Sequence, residues 1–373
     1  MSSIILFGGT FDPIHNGHLH IASMVKSRLN ADKVIFVPAK NPRWKDPSAT
    51  SSRLEMLELA IKDYKDFEIS KFEINSSEKV NYSIDLAKYF RNIYPVDKIY
   101  FLIGYDQLEK LHLWYKIDEL KDLVKIVAVN RNGYSKAEEN IKKYDVELLD
   151  IEEKDISSTD IRSLQSLDTP LCVIKYIINH DLYFTGTVKN MMNEKRYKHS
   201  CSTGFLAYDI ALNNGFNPWI AFRAGYLHDI AKDLNKDLEK NMMLRFYKEY
   251  CDYPEVCYHQ FLGEYLVKNL FLITDKDTLE AIKYHTTGKK EMTTLGKIIY
   301  AADKIEPTRG YDSSAMIDMM EKDVDEGFIE VLKENRKYYN EKNFFVNTPL
   351  QLECFKYCLL YTSPSPRDPK TSR

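Results

Sequence analysis

Short apolar runs at Ile4–Phe7, Val34–Val37, Phe72–Ile74, Ile99–Ile103 and Ile126–Val129 punctuate the first part of the chain, and each predicts a buried strand. Helical periodicity fills the gaps between them, at His18–Arg28, Arg53–Lys62 and Ile84–Asn92. Strand, helix and strand in this rhythm predict a Rossmann-like α/β domain with a parallel sheet under helices. Ligands of such sheets gather at the carboxyl ends of the strands. The texture changes after Tyr183. Helical patterns follow one another at His199–Asn213, Pro218–Leu227, Leu262–Leu270 and Thr278–Tyr284, with little that reads as strand, so an all-α bundle is expected there. The chain has 373 residues, enough for two ordinary domains. We place them at residues 1–185 and 190–357, with Phe184–Lys189 as linker. The Pro/Ser/Arg-rich stretch 358–373 has almost nothing to bury and is expected to be a disordered tail, reading like a translated cloning remnant.

The net charge of −3 argues against a nucleic-acid or anionic-membrane binder. No apolar run approaches the ~20 residues that span a bilayer. The start lacks the basic n-region of a signal peptide. Six scattered cysteines form no CxxC pair and read as reduced thiols of a cytoplasmic protein.

The first strand runs into GGTFDPIHNGH, Gly8 to His18. Gly8 and Gly9 let a ligand approach the backbone without a Cβ in the way, and Pro13 stiffens the loop. A helix is expected to open at His18, so its free N–H groups point back at the loop. Backbone donors, a helix dipole and two imidazoles, His15 and His18, make an anion cradle suited to a polyphosphate.

This stretch resembles the phosphate-binding motif of the HxGH nucleotidyltransferases, most closely that of bacterial nicotinate-nucleotide adenylyltransferases. ISSTDIR (Ile156–Arg162), LIGYDQL with Trp114, VPAKNPRWK, NYSID and VAVNR match that family in position and order, over residues 3–183. The resemblance implies adenylyl transfer from ATP to nicotinate mononucleotide, with Mg²⁺ and no protein nucleophile. His15 and His18 would hold the ATP phosphates. Thr10 and Phe11 would line the nucleotide loop through main-chain groups. Ser158, Thr159 and Arg162 would bind the phosphates from the opposite side, and Lys45 would reach them from its own loop. Asp106, beside Gly104, and Trp114 would address the mononucleotide, with Tyr82, Ser83 and Arg131 around the same pocket. NPRWK departs from the family, which usually has Pro-His before the lysine. SSTDIR taken alone also fits a plain helix cap, and Trp114 a core position.

The second half has its own chemistry. His199, His228-Asp229, His259, His285 and Asp303 recur in order through RYKHS, LHDIAKD, YHQFLG, KYHTTG and YAADKIEPTRG. Imidazole and carboxylate together suit Fe, Mn, Zn or Co. Six such groups exceed the four ligands of a structural zinc and suffice for two metals sharing a carboxylate. The ordered set resembles the HD phosphohydrolase superfamily, and YHTTG with ADKIEP its bacterial YqeK-type branch, over residues 190–357. That implies symmetrical cleavage of diadenosine tetraphosphate to two ADP, with iron as the metal. His199, His228, Asp229 and Asp303 would hold one ion; Asp229 would bridge to a second held by His259 and His285. Lys232 would face the phosphates, with Thr286, Thr287, Gly288 and Arg309. HQFLG departs from the branch, which has a small residue and a proline after the histidine.

The expectation is thus a bifunctional cytoplasmic enzyme acting on ATP, nicotinate mononucleotide and diadenosine tetraphosphate, with no nucleic-acid or membrane partner and a homo-oligomer left open. The alternative is a first domain acting on another phosphate-bearing acceptor, with the HD domain a nucleotide-sensing regulator.

Overall fold

The computed structural model describes residues 2–40, 48–77, 81–129, 138–151, 156–342 and 348–360. The chain forms two compact units. One comprises Met1–Arg162 with Ser166–Leu182, the other Ser163–Gln165 with Tyr183–Arg373.

The first unit holds a six-stranded sheet: β1 (Ser3–Gly9), β2 (Lys33–Pro38), β3 (Phe67–Ile69), β4 (Lys98–Gly104), β5 (Lys125–Val129) and β6 (Glu147–Leu149). The order is β3-β2-β1-β4-β5-β6, and every pairing is parallel. The order reverses between β1 and β4, so their carboxyl ends, at Gly9 and Gly104, flank the switch-point crevice where such sheets bind ligands. Side chains alternate across the sheet. Ile4, Leu6, Ile35, Val37, Phe101 and Ile103 join one core cluster, while their neighbours in the same strands face the other way and are also buried. Burial on both faces explains why these strands read as continuous apolar runs.

One expectation fails at the sheet edge. Phe72–Ile74 is no strand but opens a helical turn, Phe72–Asn75, and the strand lies earlier, at Phe67–Ile69. The β2–β3 register ends at Phe36↔Ile69. The Ser70 amide takes the Phe36 carbonyl (2.9 Å), and the Ser70 hydroxyl then accepts from the Phe72 amide (3.3 Å), which turns the chain out of the sheet.

In the second unit, helices Glu194–Asn213, Pro218–Leu227, Tyr258–Asn269, Lys276–Tyr284 and Thr294–Ile305 carry the histidine and aspartate pattern or lead straight into it. Asn217 caps the second of these, accepting from the Trp219 and Ile220 amides ahead of Pro218 in the first turn. This helix lies against Glu194–Asn213 through glycine. A Cβ on Gly225 would stand 3.0 Å from both Gly204 Cα and the Thr203 carbonyl, so only glycine permits this approach.

The expected linker Phe184–Lys189 is instead a helix, Phe184–Asn190. Phe184 and Val188, four residues apart, are buried, and Phe184 packs edge-on against Tyr226, with ring centroids 5.9 Å apart. Residues 358–360, expected to belong to the tail, are helical. Helix Pro349–Leu360 continues through residues 358–360, where Cys358 is buried against the second-unit core; the rest of the tail lies outside the described residues. Among the described residues, no helix is long and apolar enough to cross a membrane.

Candidate active sites

In the first unit, β1 delivers the chain to Gly9, and Phe11 folds back over it with φ of 49°. A Cβ on Gly9 would meet the Phe11 ring at 2.7 Å, so glycine is required. The Phe11 ring sits edge-on to Phe7, Phe36 and His18. The helix opens at Asn16, two residues before the expected start, because His15 is its N-cap. His15 Nδ1 accepts the His18 amide (3.4 Å), and His18 Nδ1 accepts the His15 amide (3.3 Å). This is a capping box built from two histidines in place of the usual Ser/Thr and Glu. The rings stack 3.6 Å apart. With each Nδ1 held as acceptor, each neutral ring carries its proton on Nε2, and both become N–H donors of fixed tautomer. Burial pushes His15 down to about 4 against the pull of Asp168 and Asp160, so the ring is neutral at physiological pH.

The second loop is laced to the first. Ser158 Oγ donates to the Pro13 carbonyl (2.9 Å), Arg162 Nη1 to the Asp12 carbonyl (2.6 Å) and Thr169 Oγ1 to the Ile14 carbonyl (2.7 Å). Asn16 Nδ2 donates to Asp168 Oδ1 (2.6 Å), and Arg162 Nη2 to Thr159 Oγ1 (3.0 Å). Arg53 was not foreseen. It is fully buried, and its guanidinium donates to the carbonyls of Thr10 (2.7 Å), Ala39 (2.8 Å) and Ser48 (3.2 Å). It therefore fastens the glycine loop to the segments following β2 and preceding helix Thr50–Ile61.

In the second unit, four imidazoles surround one carboxylate. Asp229 Oδ1 lies 3.4, 3.5 and 3.6 Å from Nε2 of His259, His285 and His228, and Asp229 Oδ2 lies 4.0 Å from His199 Nε2. Asp303 Oδ1 is 3.1 Å from His199 Nε2 and 3.5 Å from His228 Nε2. The rings are oriented from behind. His228 Nδ1 faces the Gly225 carbonyl (2.6 Å), His285 Nδ1 the Ile282 carbonyl (2.7 Å) and His199 Nδ1 the Glu306 carboxylate (2.8 Å). These partners turn each Nε2 inward. Burial favours neutral imidazole at His259 and His285, which are held well below the ordinary value and at about 4. Burial alone would raise Asp229 and Asp303. Surrounding imidazoles and the ammonium groups of Lys232 and Lys304 instead hold both carboxylates well below their usual range.

A cleft of about 500 Å³ opens onto this cluster, lined by Arg196, His199, Asp229, Lys232, Glu306 and Arg309. Cations touch the carboxylates from that side. Lys232 Nζ lies 3.0 Å and Arg196 Nη1 3.1 Å from Asp229 Oδ2, and Arg309 pairs with Asp303.

Residues 6–164 match the cytidylyltransferase-like family model, and residues 196–308 match the HD domain model. A protein of Mycoplasma genitalium named "Probable nicotinate-nucleotide adenylyltransferase/Ap4A hydrolase" is 37% identical over 310 residues, covering 82% of this chain and 88% of its own. Its namesake in Mycoplasma pneumoniae is 31% identical over 331 residues, covering 86% and 95%. A solved HD superfamily hydrolase of Clostridium acetobutylicum, described as involved in NAD metabolism, is 28% identical and covers 48% of this chain and 96% of its own, with a TM-score of 0.44. The chain belongs to the two-domain nicotinate-nucleotide adenylyltransferase/Ap4A hydrolase family.

Against that family, the donor set fits divalent metal. The buried His228 Nε2 has no hydrogen-bond partner among the described residues, and His259 and His285 set their Nε2 atoms 3.1 Å apart. Two imidazole nitrogens at that distance call for a proton or a cation between or beside them. Among the described residues, two groups each bring their ligating atoms within 4.8 Å of one another: His199, His228 and Asp303, and His228, Asp229 and His285. His228 belongs to both groups, and Asp229, which the sequence reading expected to bridge two ions, belongs to the second.

Other expected site residues lie as follows. Gly104 ends β4, and Asp106, exposed in the next turn, accepts from Gln107 (2.7 Å). Tyr82 and Trp114 pack against the same core cluster; Trp114 is edge-on to Phe101, and Tyr82 faces Tyr115 ahead of Ser83, which opens a helix. Thr286 Oγ1 reaches His259 Nε2 (3.1 Å). Thr287 is buried, its hydroxyl within 2.9 Å of the Gly288 carbonyl, and Gly288 packs against Cys354, so these two face protein. Lys45 and Arg131 lie outside the described residues. Arg196, Glu306 and Gln260 were missed. Arg196 could have been found three residues before His199 on the same helix, and Glu306 three after Asp303.

Proposed function

We infer that the chain is a bifunctional enzyme: it adenylates nicotinate mononucleotide with ATP, and it hydrolyses diadenosine tetraphosphate symmetrically. The observation that carries the pairing is the convergence of four imidazole nitrogens within 4.0 Å of Asp229, in a chain whose other unit holds the doubly capped histidine pair.

In the first reaction a phosphate oxygen of the mononucleotide attacks the α-phosphorus of ATP. A new P–O–P bond forms, the bond to the β-phosphate breaks, and pyrophosphate leaves; Mg²⁺ brought in with ATP would neutralise the charge on the leaving group. The reacting atoms come from the substrates, so the protein's work is placement and neutralisation of charge. Nε2–H of His15 and His18 would meet the phosphates from one side. Ser158, Thr159 and Arg162 would meet them from the other, Arg162 exchanging its Asp12 and Thr159 partners for phosphate oxygens. Trp114 and Asp106 would address the pyridine nucleotide.

In the second reaction water adds to an inner phosphorus, the central P–O–P bridge breaks, and two ADP result. Divalent metal, for which we propose iron, supplies an ionised water and charge neutralisation there when bound. His199, His228, His259, His285, Asp229 and Asp303 would hold it. Lys232, Arg196 and Arg309, drawn onto the carboxylates in this structure, would then face the substrate phosphates. Both reactions are placed in the cytoplasm, where their nucleotides are found.

Paired variants test the reading. His228→Ala removes tetraphosphate hydrolysis and leaves adenylyl transfer intact, and His18→Ala does the reverse. Loss of both activities in either variant, or of neither, contradicts it.

A further inference from the structure

Gln260 follows His259 in the first turn of its helix and is fully buried. Its Oε1 accepts three hydrogen bonds, from the amides of Thr286 and Thr287 (3.2 Å each) and from Thr287 Oγ1 (3.3 Å). The network fixes which end of the amide is oxygen, since two backbone N–H groups point at it. The need for an acceptor there is local. His285 ends its helix, and its Nδ1 engages the Ile282 carbonyl, the one that the Thr286 amide would take if the helix continued. Gln260 supplies the acceptor that this turn lacks. A small residue at the position would leave the buried Thr287 amide and the half-buried Thr286 amide without this acceptor.

The two segments joined in this way carry His259 and His285, whose Nε2 atoms stand 3.1 Å apart and 3.4 and 3.5 Å from Asp229 Oδ1. Thr286, held by Gln260 through its amide, itself touches His259 Nε2 through its hydroxyl. A second observation points the same way. Gln260 Nε2 is buried and finds no acceptor among the described residues, so the amide's structural role is carried by its oxygen.

We propose that Gln260 is a positioning residue for the His259/His285 half of the metal centre: its side-chain oxygen locks the turn after His285 onto the helix of His259, setting the spacing of the two imidazoles. The inference rests on the metal-dependent reading of the second unit and specifies one part of it. His199 and Asp303 lie on other helices, and Gln260 bonds neither; Lys304 Nζ links the His285 carbonyl (2.9 Å) to Asp303 Oδ2 (2.7 Å).

The test uses the full chain, stripped of metal and titrated with Co²⁺, with stoichiometry and affinity read by calorimetry and by the cobalt d–d absorption. Gln260→Met keeps the side chain's length and apolar stem and removes the acceptor. The expected result is one equivalent bound as in the parent and a second bound about 10- to 100-fold more weakly, the range for losing a partner behind a ligand. His285→Ala provides the reference for a missing second equivalent. The thermal transition of the second unit reports folding, with adenylyl transfer as the control for the first. Should Gln260→Met unfold, Gln260→Asn, which withdraws the oxygen by one methylene, gives the same selective weakening. Two equivalents with parental affinities in a folded variant overturn the proposal, as does equal weakening of both. A parent that binds no second equivalent overturns instead the two-metal reading beneath it.

Discussion

Replacing His15 by asparagine separates two tasks that one imidazole performs. As N-cap, His15 accepts the His18 amide through Nδ1, and asparagine caps helices at least as well. The cap, worth about 1 kcal/mol, is therefore retained, and the fold at neutral pH changes by no more than about that amount. The Nε2–H donor and the 3.6 Å stack on His18 are lost. Removing one preorganised donor from a developing phosphate charge costs about 10²–10³ in turnover. Stability against acid changes in the opposite sense. Burial takes His15 from 6.5 to about 4, so the unfolded chain binds a proton that the folded chain refuses in that window. The associated stability is fully present above pH 6.5 and is lost as pH falls towards 4; at ~1.4 kcal/mol per pH unit it amounts to about 3 kcal/mol. Asparagine has no such proton to refuse. The assays are pyrophosphate release at saturating ATP and urea unfolding at neutral pH and near pH 4. The expected variant is nearly inactive in transfer, folded at neutral pH, and less acid-sensitive than the parent. A variant that keeps its turnover within a few-fold, or loses stability in acid as steeply as the parent, refutes the assignment of the two ring nitrogens.

Three further outcomes follow from the packing. Arg53→Met leaves the carbonyls of the half-buried Thr10, Ala39 and Ser48 without their buried donor, and at ~1 kcal/mol for each the first unit loses about 3 kcal/mol in urea unfolding. Gly225→Val drives atoms into the backbone of Gly204 and Thr203; it costs about 1–3 kcal/mol in thermal unfolding and displaces His228 from His199, so hydrolysis falls with it. Glu306→Ala removes the carboxylate behind His199 Nδ1, and metal retention measured by dialysis falls about 10- to 100-fold.

Much of this architecture was legible because strand burial and ligand spacing leave local marks. Ile4–Phe7 and Ile99–Ile103 read as strands since both faces are covered, which removes polar alternation. The histidine–aspartate series was readable because each ligand sits in a strongly helical segment or at its end. The edge strands Phe67–Ile69 and Glu147–Leu149 were not, because three residues carry no period. Phe184–Asn190 escaped notice because its glycine and threonines disfavour helix, while the burial of Phe184 and Val188 that stabilises it is tertiary. Arg53 and Gln260 illustrate a further limit. Each serves main-chain groups distant in sequence, Thr10 for one and Thr286 for the other, and composition at their own positions says nothing of those partners. The mutual capping of His15 and His18 was visible as spacing, yet its consequence for tautomers required the ring geometry.

The most direct test of the account uses anaerobically purified full-length protein given diadenosine tetraphosphate with and without ferrous iron, the products being separated by chromatography. The account predicts iron-dependent formation of ADP alone. ATP plus AMP, or no turnover with iron bound, would contradict it.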